Sequence, residues 1–159
     1  MKALVNAMNK ILRAILAVMV AVMVLACCWQ VITRFILNDP SKYTEEFLRY
    51  ALIWLTMLGA PYAYGAGRHL SIDLLVMNFS AKGKNFVRIF VEVVVLVLSL
   101  AVFVFGGTAV ALNASGQISA AMRLPMECYY ACIPVGGVLM AIYSVDRLVD
   151  ALKDLKEGE

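Results

Sequence analysis

Four long runs without a charged side chain divide this sequence, and a lysine, arginine, aspartate or glutamate bounds every run. A helix needs about 20 apolar residues to cross the hydrocarbon core of a bilayer. The runs contain 20, 18, 30 and 18 residues and comprise Ala14–Thr33, Tyr50–Gly67, Val93–Met122 and Cys128–Val145. Each is long enough, or nearly long enough, to span a membrane. The sequence therefore predicts an all-α membrane protein with four transmembrane helices.

We place the four spans at about residues 11–37, 46–67, 85–113 and 125–146, which makes residues 1–159 a single four-helix transmembrane domain. The chain is 63% hydrophobic and 16% charged, a composition that is not typical of a soluble domain. The first apolar run continues well past Val24–Cys27. We therefore interpret the N-terminus as a span rather than as a cleaved signal peptide.

Lysine and arginine are distributed unequally along the chain. Ten of them lie in the two tails and in the connection after the second span, and four lie in the segments on the opposite side. Under the positive-inside rule, this distribution predicts that both termini face the cytoplasm, an N-in/C-in topology. No basic cluster is interleaved with aromatic side chains, so nucleic acid is not an expected partner.

The connection between the first two spans carries a dense polar group. Asn38–Ser41 has turn chemistry, and Thr44 is the residue that we predict to cap the second helix. Glu45 and Arg49 are spaced as an i,i+4 ion pair. We predict an outer-interface cluster of Arg34, Glu45, Glu46 and Arg49. It would fix the first helical hairpin, present polar anchors to a partner, or do both.

Small residues recur every fourth position in three of the predicted spans, a spacing that lets helix backbones approach closely. Pro61 lies beside the first of these faces and predicts a bend in the second helix. We interpret the faces as helix-packing surfaces; they are formed by Gly59, Ala63 and Gly67, by Gly107, Ala111 and Ser115, and by Gly137 and Ala141.

Residues 68–79 are too few to cross the bilayer and too apolar for a free loop, so we predict a short interfacial helix between the second and third spans, at the cytoplasmic face. The third helix, Asn85–Asn113, would be roughly 43 Å long at 1.5 Å per residue. It must therefore tilt or project beyond the hydrocarbon. The polar stretch Asn113–Gln117 predicts its outer end.

Two other functional classes fit parts of the sequence. Four cysteines in four spans fit a quinone-linked thiol-disulfide oxidoreductase, but their spacing is one vicinal pair and one C-x3-C pair rather than C-x-x-C. Their apolar surroundings also disfavour the thiolate. A small multidrug exporter would need a carboxylate deep in its first span, and this first span has none. We interpret Glu92 as half of a snorkelling pair with Arg88, and a proton or cation site there is the alternative.

Four linked motifs occur in order along nearly the whole chain. They read W-Q-V-x-x-R-F-I-L-N-x-P from Trp29, T-E-E-x-x-R-Y-x-L-I-W-L-x-x-L-G-A from Thr44, G-R-H-L-S-I-D-L-L from Gly67 and L-P-M-x-x-Y-Y-x-x-I-P-V-G-G-x-L-M from Leu124. With them the chain resembles the DctQ-type small membrane subunit of tripartite ATP-independent periplasmic (TRAP) transporters.

The resemblance implies a transport subunit rather than an enzyme, in a bacterial inner membrane. In that family a periplasmic binding protein captures an organic acid, and a large membrane subunit imports it by an elevator motion. The sodium gradient is used by the large subunit, so no cofactor is implied for this one. The small subunit packs against the scaffold of the large one, and its sequence does not select the carboxylate. Because Glu157–Glu159 ends the sequence, we expect a free-standing rather than a fused form.

The resemblance implies no catalytic, cofactor, metal or substrate residues in this chain. Its motifs also contain Pro125 and Pro134. From the motifs together with the small-residue face, we select structural or interface candidates: Arg34, Glu45, Glu46, Arg49, Tyr50, Trp54, Gly59, Ala63, Gly67, His69 and Asp73. We expect Glu46 and Arg49 to fix the periplasmic end of the hairpin, and His69 and Asp73 to anchor the interfacial helix.

Overall fold

The computed structural model describes residues 2–66 and 81–157, and nearly all of them are helical. Helix α1 covers Lys2–Phe35, α2 covers Lys42–Ala66 and α3 covers Ala81–Leu98; a π-helical segment, Ser99–Gly106, continues α3 into α4, Gly107–Asn113. Helix α5 covers Met126–Tyr130 and α6 covers Cys132–Glu157. The predicted interfacial helix at 68–79 lies outside the described residues.

Three helical stretches are long and apolar enough to cross a membrane: Leu4–Phe35, Asn85–Asn113 and Met126–Lys153. Helix α2 contains 25 residues and continues through Pro61. Its mean hydropathy is lowered by the charged residues of its first turns and by several tyrosines, although its uncharged part, Tyr50–Ala66, is 17 residues long. The described chain is therefore a multi-pass helical protein with three candidate spans.

The long helices form a row rather than a closed bundle. Helix α2 packs against α1 on one side and against α6 on the other, and α6 in turn packs against α3 and the π-helical segment. We call the end that contains residues 36–41 and 114–125 the hairpin end, and the opposite end the terminal end. The row places α1 and α3 at its two edges, where they contact few other helices.

The buried core between α1, α2 and α6 lies toward the terminal end. Leu12 of α1, Leu58 of α2 and Tyr143 of α6 form its centre. The hydroxyl of Tyr143 donates a hydrogen bond of 2.6 Å to Asn9 Oδ1, which satisfies that polar atom inside the helix layer. A Cβ atom at Gly65 would collide with the Tyr143 ring, so the absence of a side chain there admits the aromatic ring.

Glycines also set the spacing between α6 and its neighbours. A Cβ atom at Gly136 would lie 2.6 Å from the main-chain oxygen of Met57, and one at Gly137 would lie 2.6 Å from Phe103 Cβ. A Cβ atom at Gly107 would lie 2.6 Å from Ile133 Cγ2. Gly59 is less constrained, because the nearest atom to its ideal Cβ is Leu16 Cδ2 at 4.0 Å. Close backbone approach is therefore concentrated on α6.

One local expectation from the sequence is wrong, and one local feature of the structure was not predicted. Helix α2 begins at Lys42, and its cap is Ser41 instead of Thr44, because the Thr44 N–H donates to Ser41 Oγ at 3.4 Å. Residues 99–106 are π-helical, which no periodicity in the sequence indicated. The predicted end of the third helix at Asn113 is confirmed.

Candidate functional site

A short hairpin between α4 and α5 organises the hairpin end. The Ser119 N–H donates to the Leu124 oxygen at 3.0 Å, and the Met126 N–H donates to the Gln117 oxygen at 3.0 Å. Gly116 has a φ of 80° and Arg123 has a φ of 53°. A left-handed backbone is uncommon for an arginine, so the turn is fixed by its surroundings rather than by the preference of that residue.

Glu46 joins α2 to this hairpin. Its Oε2 accepts hydrogen bonds from the main-chain N–H groups of Ala121, at 2.6 Å, and Met122, at 3.0 Å. Only 8% of the residue is exposed. Hydrogen bonds from two amides to one charged oxygen are among the stronger polar contacts in proteins. Glu46 therefore links the start of α2 to the second connection at this end of the molecule.

The rest of the predicted outer cluster is more open. Arg49 and Glu45 form the predicted i,i+4 pair, at 3.3 Å between Nη2 and Oε1, and both side chains are more than half exposed. The Arg34 guanidinium instead lies over the Phe35 ring, 5.9 Å from its centroid. Among the described residues no carboxylate oxygen lies within 4 Å of Arg34. Within the predicted cluster, Glu46 is therefore buried, whereas Arg34, Glu45 and Arg49 are exposed.

Aromatic stacking also connects α2 to α5 at the hairpin end. The Tyr50 and Tyr129 rings are stacked with centroids 3.5 Å apart and 14° between their planes. The Tyr50 hydroxyl lies 3.4 Å from Met126 Sδ. One turn further along α2, Trp54 packs against the buried core. Tyr50 and Trp54 therefore connect α2 to α5 and to the core.

A second polar site lies inside the helix layer around Glu92, and sequence reasoning identified that carboxylate but not its partners on α2 and α6. Glu92 of α3 is fully buried. It accepts a hydrogen bond from the Tyr64 hydroxyl of α2, and Ser144 Oγ of α6 lies 2.8 Å from its main-chain oxygen and 3.1 Å from its Oε2. The prediction that Glu92 snorkels to the membrane boundary is wrong, because only 1% of its side chain is exposed.

Arg147 completes this network from α6. Its Nη1 lies 3.9 Å from Glu92 Oε1, its Nη2 donates to the Tyr64 main-chain oxygen, and its Cζ lies 4.5 Å from the Tyr64 ring centroid. A carboxylate within a helix layer needs a partner cation and hydrogen bonds. Residues of α2, α3 and α6 together meet that need, so this polar network connects three helices.

Other predicted residues lie apart from both polar sites. Gly59 is half-buried beside α1 and Ala63 is exposed, whereas Gly67, His69 and Asp73 lie outside the described residues. All four cysteines are free thiols, and only Cys132 is buried. Across residues 2–66 and 81–157, no group of three or more metal-ligating side chains is present.

Comparison with known families identifies the class of protein to which this arrangement belongs. The family model described as "Tripartite ATP-independent periplasmic transporters, DctQ component" matches residues 23–154. The chain belongs to the DctQ family. The DctQ match includes both polar sites and every described helix at least in part, and it confirms the resemblance drawn from the four motifs.

Relatives of this DctQ chain occur in separate and in larger proteins. The chain is 26% identical to the sialic acid TRAP transporter small permease protein SiaQ of Vibrio cholerae, over 96% of its length and 88% of that protein. It is also 26% identical to the ectoine TRAP transporter small permease protein TeaB of Halomonas elongata, over 92% and 75%. A third match, at 27% identity, covers 70% of this chain and 18% of the sialic acid TRAP transporter permease protein SiaT of Haemophilus influenzae.

Proposed function

We propose that this chain is the small membrane subunit that scaffolds the large, sodium-coupled elevator subunit of a TRAP transporter. The observation that carries the proposal is the DctQ family match over residues 23–154. The larger permease protein of H. influenzae, of which this chain matches 18%, supports a partnership between a DctQ region and additional permease sequence. A region that is part of a longer chain in one relative is expected to associate with the equivalent partner when it is separate.

The row of helices supports a scaffold rather than a self-contained bundle. Within an 18-residue apolar stretch of each candidate span, only 6% of the residues are buried in α1 and 11% in the span of α3 and α4, compared with 33% in the span of α5 and α6. Helix α2 also leaves one face uncovered, and small side chains predominate there: Thr56, Ala60, Ala63 and Ala66 are all exposed. Small residues at helical spacing allow another helix to approach closely, so this face suits a large membrane partner.

We further propose that α2 is the fourth span. Two candidate spans, α1 and α6, flank α2 along its length, so a helix packed between them occupies the same depth of the bilayer. With the unequal distribution of lysine and arginine, four spans give an N-in/C-in subunit of the bacterial inner membrane. The hairpin end then faces the periplasm, where a binding protein delivers an organic acid to the large subunit. The interfacial helix at 68–79 remains part of this proposal.

The first test is co-purification. A tagged chain, extracted in mild detergent from its native host, should bring a large multi-span protein with it in a stoichiometric ratio. The matched control is the same extraction from a strain that lacks the large-subunit gene, in which that band should be absent. Recovery of the chain as a monomer or homodimer in several detergents would contradict the scaffold role.

Glu46 and Glu45 give a matched pair of variants for the hairpin end. Glu46→Ala removes the acceptor for two part-buried main-chain amides and should destabilise the contact between α2 and the hairpin by about 1–3 kcal/mol. Glu45→Ala removes an exposed ion pair and should cost about 0–1 kcal/mol. We expect uptake by the complete transporter to fail with Glu46→Ala and to persist with Glu45→Ala. Equal uptake by both variants would contradict a structural role for the Glu46 link.

The Arg49→Ala variant tests contact with a partner independently of folding. The Arg49 side chain is exposed, so Arg49→Ala should leave the melting temperature of the purified chain nearly unchanged. If Arg49 anchors a partner at the periplasmic surface, the same variant should abolish uptake. The measurement is uptake and melting on one preparation; full uptake would show that Arg49 contacts no essential partner.

A further inference from the structure

The exposed residues of α2 form one continuous stripe, which we call the α2 stripe. At 100° per residue, they fall within an arc of about 80°, on the side of the helix opposite Trp54 and Leu58. The stripe is roughly 32 Å long at 1.5 Å per residue, close to the ~30 Å thickness of the hydrocarbon core. It consists of Lys42, Glu45, Arg49, Leu52, Thr56, Ala60 and Ala63.

The spacing of the α2 stripe is that of a long contact with one neighbouring helix. Its members follow one another at intervals of three or four residues, which average 3.5. Residues with this repeat remain in contact with a second helix when the two helices cross at about +20° in a left-handed supercoil. Crossings of this kind are also the commonest in membrane bundles. The stripe therefore fits a single helix along its whole length.

Side-chain size distinguishes the α2 stripe from the surfaces that suit lipid. On α3, large apolar side chains such as Phe86 and Phe90 are exposed, as hydrocarbon chains favour. On the α2 stripe, Leu52 is the one large apolar side chain, and the terminal end carries Ala60 and Ala63. Close packing of backbones drives helix association in lipid, and small residues permit it. The stripe is therefore better suited to a protein helix than to lipid.

The part of the α2 stripe at the hairpin end is charged. Glu45 pairs with Arg49, whereas no carboxylate in the described part of the chain lies within 4 Å of Lys42 or Arg123. The same three stripe residues line a groove of about 730 Å³, together with Arg123 of the hairpin. A partner that carries a carboxylate at this level would complement Lys42 and Arg123.

These charges disfavour a second copy of this chain as the occupant of the α2 stripe. Two copies have the same orientation in one membrane, so their α2 helices would run parallel. In a parallel pair with two-fold symmetry, each position of the contact faces its own equivalent. Lys42 would then face Lys42 and Arg49 would face Arg49, an arrangement of like charges that costs stability. A different chain with a complementary charge fits better.

We propose that the α2 stripe binds one transmembrane helix of the large membrane subunit, which crosses α2 at about +20° and places a carboxylate near Lys42 and Arg123. This inference rests on the proposed scaffold function. It goes further because it names α2, rather than either edge helix of the row, as the helix in contact. It also assigns the charge that the partner carries at the hairpin end.

Site-specific photo-cross-linking in the assembled transporter tests the contact. A small diazirine amino acid is placed at one position at a time in the full chain, in membranes of the native host. At Leu52, Thr56 and Ala63 of the α2 stripe, we expect cross-links to the large subunit, identified by mass spectrometry. At Ala21 of α1 and Val97 of α3, which are also exposed, we expect adducts with lipid only.

A matched pair of variants tests close packing on the α2 stripe. Ala63→Leu enlarges an exposed side chain, so the melting temperature of the isolated chain should stay the same. At a close helix contact, the added atoms should lower the amount of co-purified large subunit roughly tenfold. Ala21→Leu makes the same change at an exposed position of α1 and should leave the recovery unchanged.

A second pair of variants tests the charge. Lys42→Glu places a carboxylate in the first turn of α2, where the helix dipole favours it, so folding should persist. Repulsion from the carboxylate of the partner should lower recovery of the large subunit roughly tenfold or more. Lys153→Glu reverses an exposed charge at the terminal end and should have no effect. Equal recovery with both variants would contradict the assigned charge of the partner.

The remaining outcomes distinguish this inference from the scaffold function. Cross-links to the large subunit from Ala21 or Val97 but not from the α2 stripe would keep the scaffold function and reject α2 as the contact. Cross-links between two copies of the chain would make a second copy the occupant. Lipid adducts alone from the stripe, in a sample that contains the large subunit, would show that the stripe faces lipid. Absence of the large subunit from the preparation would contradict the scaffold function, and this inference with it.

Discussion

Glu92→Ala should lower the free energy of unfolding by about 3 kcal/mol, because it leaves the Arg147 guanidinium without its buried carboxylate. The lower end of the usual range for a broken buried pair applies here, since 16% of the Arg147 side chain is exposed. The melting temperature in detergent should fall by roughly 6–12 °C. Tyr64 and Ser144 would also lose a hydrogen-bond acceptor. This loss should weaken the contacts between α2, α3 and α6.

The charge and the hydrogen bonds of Glu92 can be separated by further variants. Glu92→Gln keeps an oxygen for Tyr64 and Ser144 but removes the charge, so its loss of stability should be intermediate. Glu92→Leu combined with Arg147→Met replaces both charges by apolar groups and should recover most of the stability of the original chain. Glu127→Ala, at an exposed carboxylate on α5, is the control and should have almost no effect. Equal melting of Glu92→Ala and Glu127→Ala would show that the network does not stabilise the fold.

The positions of the apolar helices could be predicted because charge is costly in hydrocarbon and therefore marks their ends. The same reasoning predicted neither the burial of Glu92 nor its contact with Arg147. Sequence spacing identifies Arg88 as a neighbour one turn away, but Arg147 is 55 positions further along the chain and meets Glu92 only because α6 packs against α3. A contact between helices depends on which faces meet, and one sequence contains no direct record of that pairing.

At the hairpin end, too, contacts within one helix could be predicted from the sequence, whereas contacts between distant segments could not. The Glu45–Arg49 pair follows from helical periodicity and is present. The choice of Ser41 over Thr44 as the cap could not be made from residue type, because both hydroxyls can accept an amide hydrogen bond. The partners of Glu46 are main-chain groups about 75 residues away. They depend on a connection in which Arg123, as well as Gly116, has a left-handed backbone, and residue type does not predict that conformation for an arginine.

Two further glycines, Gly136 and Gly65, were also missed, although both lie where helices approach closely. The small-residue faces inferred from four-residue spacing include Gly137 but neither of these positions. Spacing shows which small residues share a face of one helix. It does not show that Gly136 faces a carbonyl group of α2, which is the contact that makes its missing side chain necessary.

Gly136→Ala should therefore be the most disruptive conservative change in α6. The added methyl would lie 2.6 Å from the Met57 main-chain oxygen, an atom that cannot rotate away as a flexible side chain can. Overpacking of this kind costs about 1–3 kcal/mol. Separation of α2 from α6 would also release α1, which is attached to the row mainly through α2. We expect a lower melting temperature and less of the large subunit in co-purification.

Gly106→Ala is the control for Gly136→Ala, because the same added methyl group should raise the melting temperature at Gly106 and lower it at Gly136. The nearest atom to a Cβ at Gly106 is the Ala101 main-chain oxygen at 3.8 Å, an ordinary contact, so the methyl meets no obstacle. Alanine there should raise stability by up to about 1 kcal/mol, because it restricts the unfolded chain more than glycine does. The two variants have the same chemistry and opposite expected signs in one melting experiment. If both raise the melting temperature, α2 and α6 are not in the close contact from which the scaffold's stability is argued.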